Sequence, residues 1–178
     1  MYWTPLHRRL LPAFLAVFLG LNAKLVSAEM PKEYQKWLDE DVHWIISDRE
    51  RETFLRVSSN EMRDKFIVAF WDRRDPTPGT PENEFKEEHY RRLAYSNMHF
   101  AGSTPGWKTD RGRIYVIYGP PNRIEANITT DKGTYPTEVW HYRFIEGLGQ
   151  DLTWRFVDTC KCGDYLMTSD SPGKKPVE

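Results

Sequence analysis

Hydrophobic positions along this chain follow two regimes, helical spacing up to residue 100 and strand-like alternation after it. Tyr34, Trp37, Leu38, Val42 and Ile45 recur at helical intervals behind Pro31, a residue suited to a first turn. The spacing predicts an amphipathic helix over 31–46, broken near 39–41. Ser47 stands three residues before Glu50, a capping-box arrangement, and Phe54 and Leu55 mark the buried side of a second helix. After Ser58-Ser59-Asn60 a third helix carries Met62, Phe66, Ile67, Phe70 and Trp71 on one face, read as core packing. It ends near Arg74, because Pro76 disfavours a helical Asp75. Thr80-Pro81-Glu82 has the form of cap, first-turn proline and acid, so a fourth helix is predicted over 81–100. On it Glu84, Glu87 and Glu88 are spaced to pair with Arg91 and Arg92.

The second regime opens with Gly106 to Pro121. A polar turn between Gly106 and Gly112 leads into Ile114 to Tyr118, apolar on both faces, and stops at Gly119-Pro120-Pro121. The pattern predicts a loop feeding a central strand buried on both sides. A more exposed strand follows over 122–126, then a loop over 127–137. Over 138–144 the residues alternate, with Trp140, Tyr142 and Phe144 on one face. A turn at 147–151 precedes a strand placing Leu152, Trp154 and Phe156 on one side, and 165–168 offers one more short strand. The expected fold is α+β, with about four N-terminal helices packed on a C-terminal antiparallel meander in a single domain over 29–168. Residues 169–178 are expected to form a flexible tail.

The N-terminal run changes the picture of where the protein works. Arg8 and Arg9 precede an apolar stretch from Leu10 to Leu21, and Val26-Ser27-Ala28 presents small residues where a signal peptidase reads. Residues 1–28 are expected to be a signal peptide cleaved near Ala28, an uncleaved anchor being the alternative. The product would be exported, periplasmic or extracellular, with no membrane span after cleavage. Of the formal charge of −1, the leader holds Arg8, Arg9 and Lys24, so the part from Glu29 carries −4. That balance lacks the basic stripe of a nucleic-acid binder. Aromatic residues make up 14% of the 178-residue chain, including seven Trp, which speaks for a packed globule rather than disorder.

Candidate chemistry is sparse. No nucleophile elbow, phosphate-binding loop, His-Glu-x-x-His or dinucleotide-binding glycine pattern is present, and neither cofactor nor metal is implied. Cys160 and Cys162 are one residue apart, which leaves two readings open: a strained intrachain disulfide, or thiols that are free or paired with another molecule. The densest polar stretch is Trp107-Lys108-Thr109-Asp110-Arg111 with Arg113. Asp110 is the candidate general base, Arg111 or Arg113 the candidate anion clamp, and Trp107 a stacking surface for a ligand. The competing reading makes Thr109 and Asp110 turn formers, Arg113 an ion-pair strut and Trp107 a core plug, and it is favoured. Arg73 and Asp75 are read in the same way, as ligand-binding candidates whose simpler role is a buried bridge fixing the proline-rich connection.

Gly106-Trp107-Lys108-Thr109-Asp110, followed by Arg111-Gly112-Arg113-Ile114 and Tyr118-Gly119-Pro120-Pro121, closely resembles the signature of the GWxTD-domain family of exported bacterial proteins. Arg73 to Pro78, Asn83-Glu84-Phe85 and, upstream, Trp44, Glu50 and Arg51 extend the resemblance over most of the chain. It implies a domain identity and an exported compartment, and it supplies no reaction. The expected function is a non-catalytic domain that binds an envelope or secreted protein. The alternative is a hydrolase or lyase acting on an envelope polymer, with Asp110 as base.

Overall fold

The computed structural model describes residues 29–128 and 133–172. The expected leader, residues 1–28, lies outside them. Helices precede a four-stranded sheet, as the two hydrophobic regimes predict. α1 (Lys32–Lys36) runs into a π-helical turn at Trp37–Asp41, close to the predicted break, and buries Trp37 and Leu38 side by side. α2 (Asp48–Arg56) starts with the predicted capping box, and α3 (Asn60–Asp72) is capped by the Ser59 side chain. Trp37, Phe54, Phe66 and Phe70 pack ring to ring between these helices.

α4 (Glu84–His99) begins later than predicted, with Asn83 rather than Thr80 as its cap. The Asn83 carboxamide accepts from Lys86 N–H at 2.9 Å and donates to the Trp71 carbonyl at 2.9 Å, so it also ties the helix start to the end of α3. Thr80 instead donates to carbonyls within the proline-rich connection. The predicted Glu-Arg pairing forms on Glu88, which binds both Arg91 and Arg92.

The main correction concerns Ile114 to Tyr118, predicted as a central strand. With the preceding turn residues from Asp110 they form a helix, α5 (Asp110–Tyr118). Ile114 and Val116 are both almost fully buried, and in a helix they stand about 200° apart. Ile114 enters the core against the sheet, while Val116 enters a second cluster with Leu93 and Trp107. A short helix covered on two sides is apolar all round, which is also the pattern of a doubly buried strand.

The sheet is an antiparallel meander in the order β1 (Arg123–Asn127), β2 (Thr137–Ile145), β3 (Gly149–Val157), β4 (Leu166–Met167). Trp140 pairs with Trp154 and Phe156 with Met167, so the large apolar side chains share the face that α5 covers. Tyr142 donates to the Gly119 carbonyl at 2.8 Å, at the end of α5. Phe144, predicted to share that buried face, is 63% exposed. It lies two residues beyond Tyr142 and opposite Gln150, past the reach of the helix. At the far end, Trp154 donates to the Pro172 carbonyl and the buried Ser171 accepts from Arg155 N–H, so the chain is held as far as Pro172. The remainder of the expected tail, 173–178, lies outside the described residues.

Arg73 and Asp75 do not form the expected bridge. Asp75 accepts from Thr77 N–H at 3.0 Å, closing its own turn. Arg73 and Arg74 turn to Glu50, which Arg74 grips through both nitrogens at 3.0 and 2.8 Å. Glu50 is also the acid of the α2 capping box, so one carboxylate joins the start of α2 to the end of α3. Partial burial works against its ionisation, yet the bonds from Arg74, Ser47 and Arg73 prevail and hold its pKa at about 2. A carboxyl held below its ordinary 4.5 stabilises the fold above that pH and loses the contribution as pH falls toward 2. Glu50→Gln should therefore cost about 2 kcal/mol in urea unfolding at pH 7, with the difference from wild type shrinking between pH 4.5 and 2.

Candidate functional site

The Gly106 to Gly119 segment is a helix start with its supports. Gly106–Lys108 make one 3-10 turn, after which Thr109 caps α5. The Thr109 hydroxyl accepts from Gly112 N–H at 3.0 Å and donates to the Gly106 carbonyl at 2.8 Å, locking turn to helix. Both glycines are required by contact rather than by backbone angle. A Cβ on Gly106 would fall 1.9 Å from the Ser96 carbonyl oxygen of α4, and one on Gly112 would fall 1.8 Å from the Gly106 carbonyl oxygen. Backbone thus packs on backbone from α4 through the turn into α5. Gly119 ends the helix at φ 79° with the Arg92 guanidinium against it.

Trp107 plugs the junction between the helices. It is 5% exposed, its N–H donates to Asn97 Oδ1, and its carbonyl accepts from Trp44 Nε1 at 2.8 Å. Arg111 points the other way and is buried. It donates to Glu138 Oε1 at 2.9 Å and to the Gly163 carbonyl at 3.2 Å, with its guanidinium 4.0 Å from the Tyr165 ring centre. Trp140 Nε1 occupies the other oxygen of Glu138. Asp110 Oδ2 accepts from Met167 N–H at 2.7 Å, fastening α5 to β4, and Oδ1 lies 3.8 Å from Arg113. The Arg113 guanidinium also faces the Trp44 ring.

Gly106, Trp107, Thr109, Asp110, Arg111, Gly112 and Arg113, which carried the resemblance, serve as turn, cap, plug and strut. The family model of the GWxTD domain matches residues 20–161. The chain belongs to this family. None of the curated proteins and none of the solved structures matches it.

Of the clefts that border the motif of this GWxTD domain, two lie beside its charged residues. One, of about 210 Å³, has Asp110, Asp164 and Lys108 at its edge, but Asp164 is bonded to the backbone and hydroxyl of Ser103 and Asp110 is engaged as above. The other, of about 420 Å³, lies beside Trp107 and Trp44 and is rimmed by Asp39, His43, Arg51 and Lys108. Partial burial, and then the neighbouring Arg51, lower the pKa of His43, so the imidazole is neutral at pH 7. Arg73 belongs to the α2–α3 junction and Asp75 to its own turn after α3, and neither cleft includes them. Sequence reasoning missed Glu138 as the partner of Arg111, because 27 residues and a change of layer separate the two. It also left the partner of Trp44 unassigned, although Trp44 stood among the residues of the resemblance.

Cys160 and Cys162 are joined by a disulfide. Ligand atoms of Asp158, Cys160 and Cys162 lie within 4.8 Å of one another, but oxidised sulfurs cannot serve as thiolate ligands.

Backbone packing across the two glycines makes a sharp prediction. Gly106→Ala and Gly112→Ala should each cost about 3 kcal/mol or more in urea unfolding, since main chain must move to admit the methyl. Thr109→Ala should cost about 1–2 kcal/mol and Thr109→Asp much less, because Asp restores the cap.

Proposed function

We propose that this GWxTD domain is a non-catalytic bacterial protein, exported by way of residues 1–28, that binds an envelope or secreted protein partner. The observation that carries the reading is the commitment of Asp110, Arg111 and Arg113 to internal partners on the sheet, on β4 and on Trp44. A general base must reach a substrate proton, and an anion clamp must offer free donors. These groups already hold the two layers together. Apolar side chains left in solvent on the sheet, Ile124 on the edge strand β1 at 51% and Phe144 beyond the reach of the helix at 63%, support a binding role. No helix among the described residues is long and apolar enough to cross a membrane.

A second reading rests on the cleft beside Asp110, where Asp164 supplies another carboxylate. In it the domain is a hydrolase or lyase acting on an envelope polymer.

Photocrosslinking from positions 124 and 144 in intact cells tests the first reading. One protein should be trapped reproducibly, and its recovery should fall at least about tenfold in Phe144→Lys, an exposed substitution that leaves the fold unchanged. Failure to trap any specific partner from either position would overturn it. The second reading predicts that Asp110→Asn abolishes turnover while the Trp fluorescence and unfolding midpoint stay near wild type. A folded Asp110→Asn protein with unchanged cellular phenotype removes its base.

A further inference from the structure

The loop between β3 and β4 carries the two cysteines of the chain, Cys160 and Cys162, with their Cα atoms 5.2 Å apart. Both are exposed. A cross-link spanning a single residue closes almost the smallest possible loop and removes little entropy from the unfolded chain, so stabilisation gives it little reason to exist. Nor does the loop need it for shape. β3 and β4 are already joined through Phe156 with Met167 and Val157 with Leu166.

Asp158 anchors the loop independently of the sulfurs. It is 3% exposed, its N–H donates to the Pro136 carbonyl, and its carboxylate accepts from Cys162 N–H at 3.1 Å and Gly163 N–H at 2.8 Å. The Gly163 carbonyl in turn accepts from Arg111. Between the half-cystines, Lys161 sits at φ 57°, a left-handed conformation that costs a non-glycine residue free energy. Asp158 Oδ1 lies 3.1 Å from Cys160 Sγ, in place to accept the proton of a Cys160 thiol. Among the described residues, no carboxylate oxygen is placed to accept a hydrogen bond from Cys162 Sγ; Asp158, within 4.8 Å of that sulfur, is turned to Cys160 Sγ and to the Cys162 N–H. The two sulfurs are therefore inequivalent: the carboxylate favours the protonated thiol at Cys160 and leaves Cys162 as the better thiolate.

From this we infer that Cys160–Cys162 is an exchange-active disulfide that accepts electrons from a dithiol, the natural donor being an exposed cysteine pair on another protein. A donor thiolate attacks Cys160 Sγ, a new S–S bond forms, and the Cys160–Cys162 bond breaks. Its electron pair leaves on Cys162, which takes a proton from solvent. The second donor thiol, having lost its proton to solvent, then attacks the donor sulfur of the mixed disulfide and expels Cys160. Cys160 gains a proton and donates it in a hydrogen bond to Asp158. The donor is oxidised to a disulfide, and the pair is reduced by two electrons and two protons. This activity is separate from partner binding at the sheet and does not depend on it.

Dithiothreitol is the probe. The full-length folded protein, treated with it in native buffer and quenched with iodoacetamide, should take up two alkyl groups by mass. Its far-UV circular dichroism should stay unchanged and its thermal midpoint should move by less than about 3 °C. At pH 7, Cys162 in Cys160→Ser should alkylate at least about tenfold faster than Cys160 in Cys162→Ser. Asp158→Asn should narrow that gap, and if that variant does not fold, the comparison of the two single-cysteine proteins still decides. Reduction that requires denaturant, loss of the fold on reduction, or equal alkylation rates at the two cysteines would each overturn the inference.

Discussion

The structure depends on three stretches of backbone that touch without side chains between them. Ser96 and Asn97 of α4 lie against Gly106, and the Gly106 carbonyl lies against Gly112. That stacking seats the start of α5 directly on α4, where any Cβ would separate them. It leaves α5 with a helical layer on one side and the sheet on the other, which is why nine residues with little amphipathic character still form a helix. The capping hydroxyl of Thr109 and the positive φ of Gly119 fix its two ends. Tertiary burial of both sides supplies what propensity and periodicity do not.

Charged groups then rivet the layers, and each is held from more than one direction. Arg111 joins α5 to β2 through Glu138 and to the cysteine loop through Gly163, while stacking on Tyr165. Glu50 joins α2 to α3 through two arginines and its own cap. A partly buried carboxylate in such a setting stays ionised because several donors replace the water it has lost. The same saturation shapes function. Polar residues that are dense in sequence at Trp107 to Arg113 become scarce as free chemistry once folded, and the groups left available lie elsewhere, on the sheet and in the cysteine loop.

Most elements were legible because their causes are local. The cap at Ser47, the stop before Pro76 and the alternation of Trp140 and Tyr142 each involve residues within one turn or one strand. Where legibility failed, a distant partner had intervened. Asn83 outcompeted Thr80 as cap because it also reaches Trp71. Arg73 and Arg74 passed over Asp75 for Glu50, 23 and 24 residues away. Phe144 obeyed the strand period and is exposed nonetheless, because the helix that covers the sheet stops at Gly119. In the candidate site, Thr109 and Trp107 took the structural roles that their neighbours suggested, whereas Asp110 took its amide from Met167, 57 residues on, and not from its own turn.

By itself, then, the amino-acid order determined the α+β arrangement, the single-residue spacing of the cysteines and the family, since periodicity, turn chemistry and a contiguous motif are properties of neighbouring residues. Only the tertiary structure decided that Ile114 to Tyr118 is a helix, that the motif glycines are contact points and that Arg111 spans to Glu138. An apolar run has the same composition whether it is a helix held between a helical layer and a sheet or a strand covered on both faces. The difference lies in what packs against it, and that is settled by residues far along the chain.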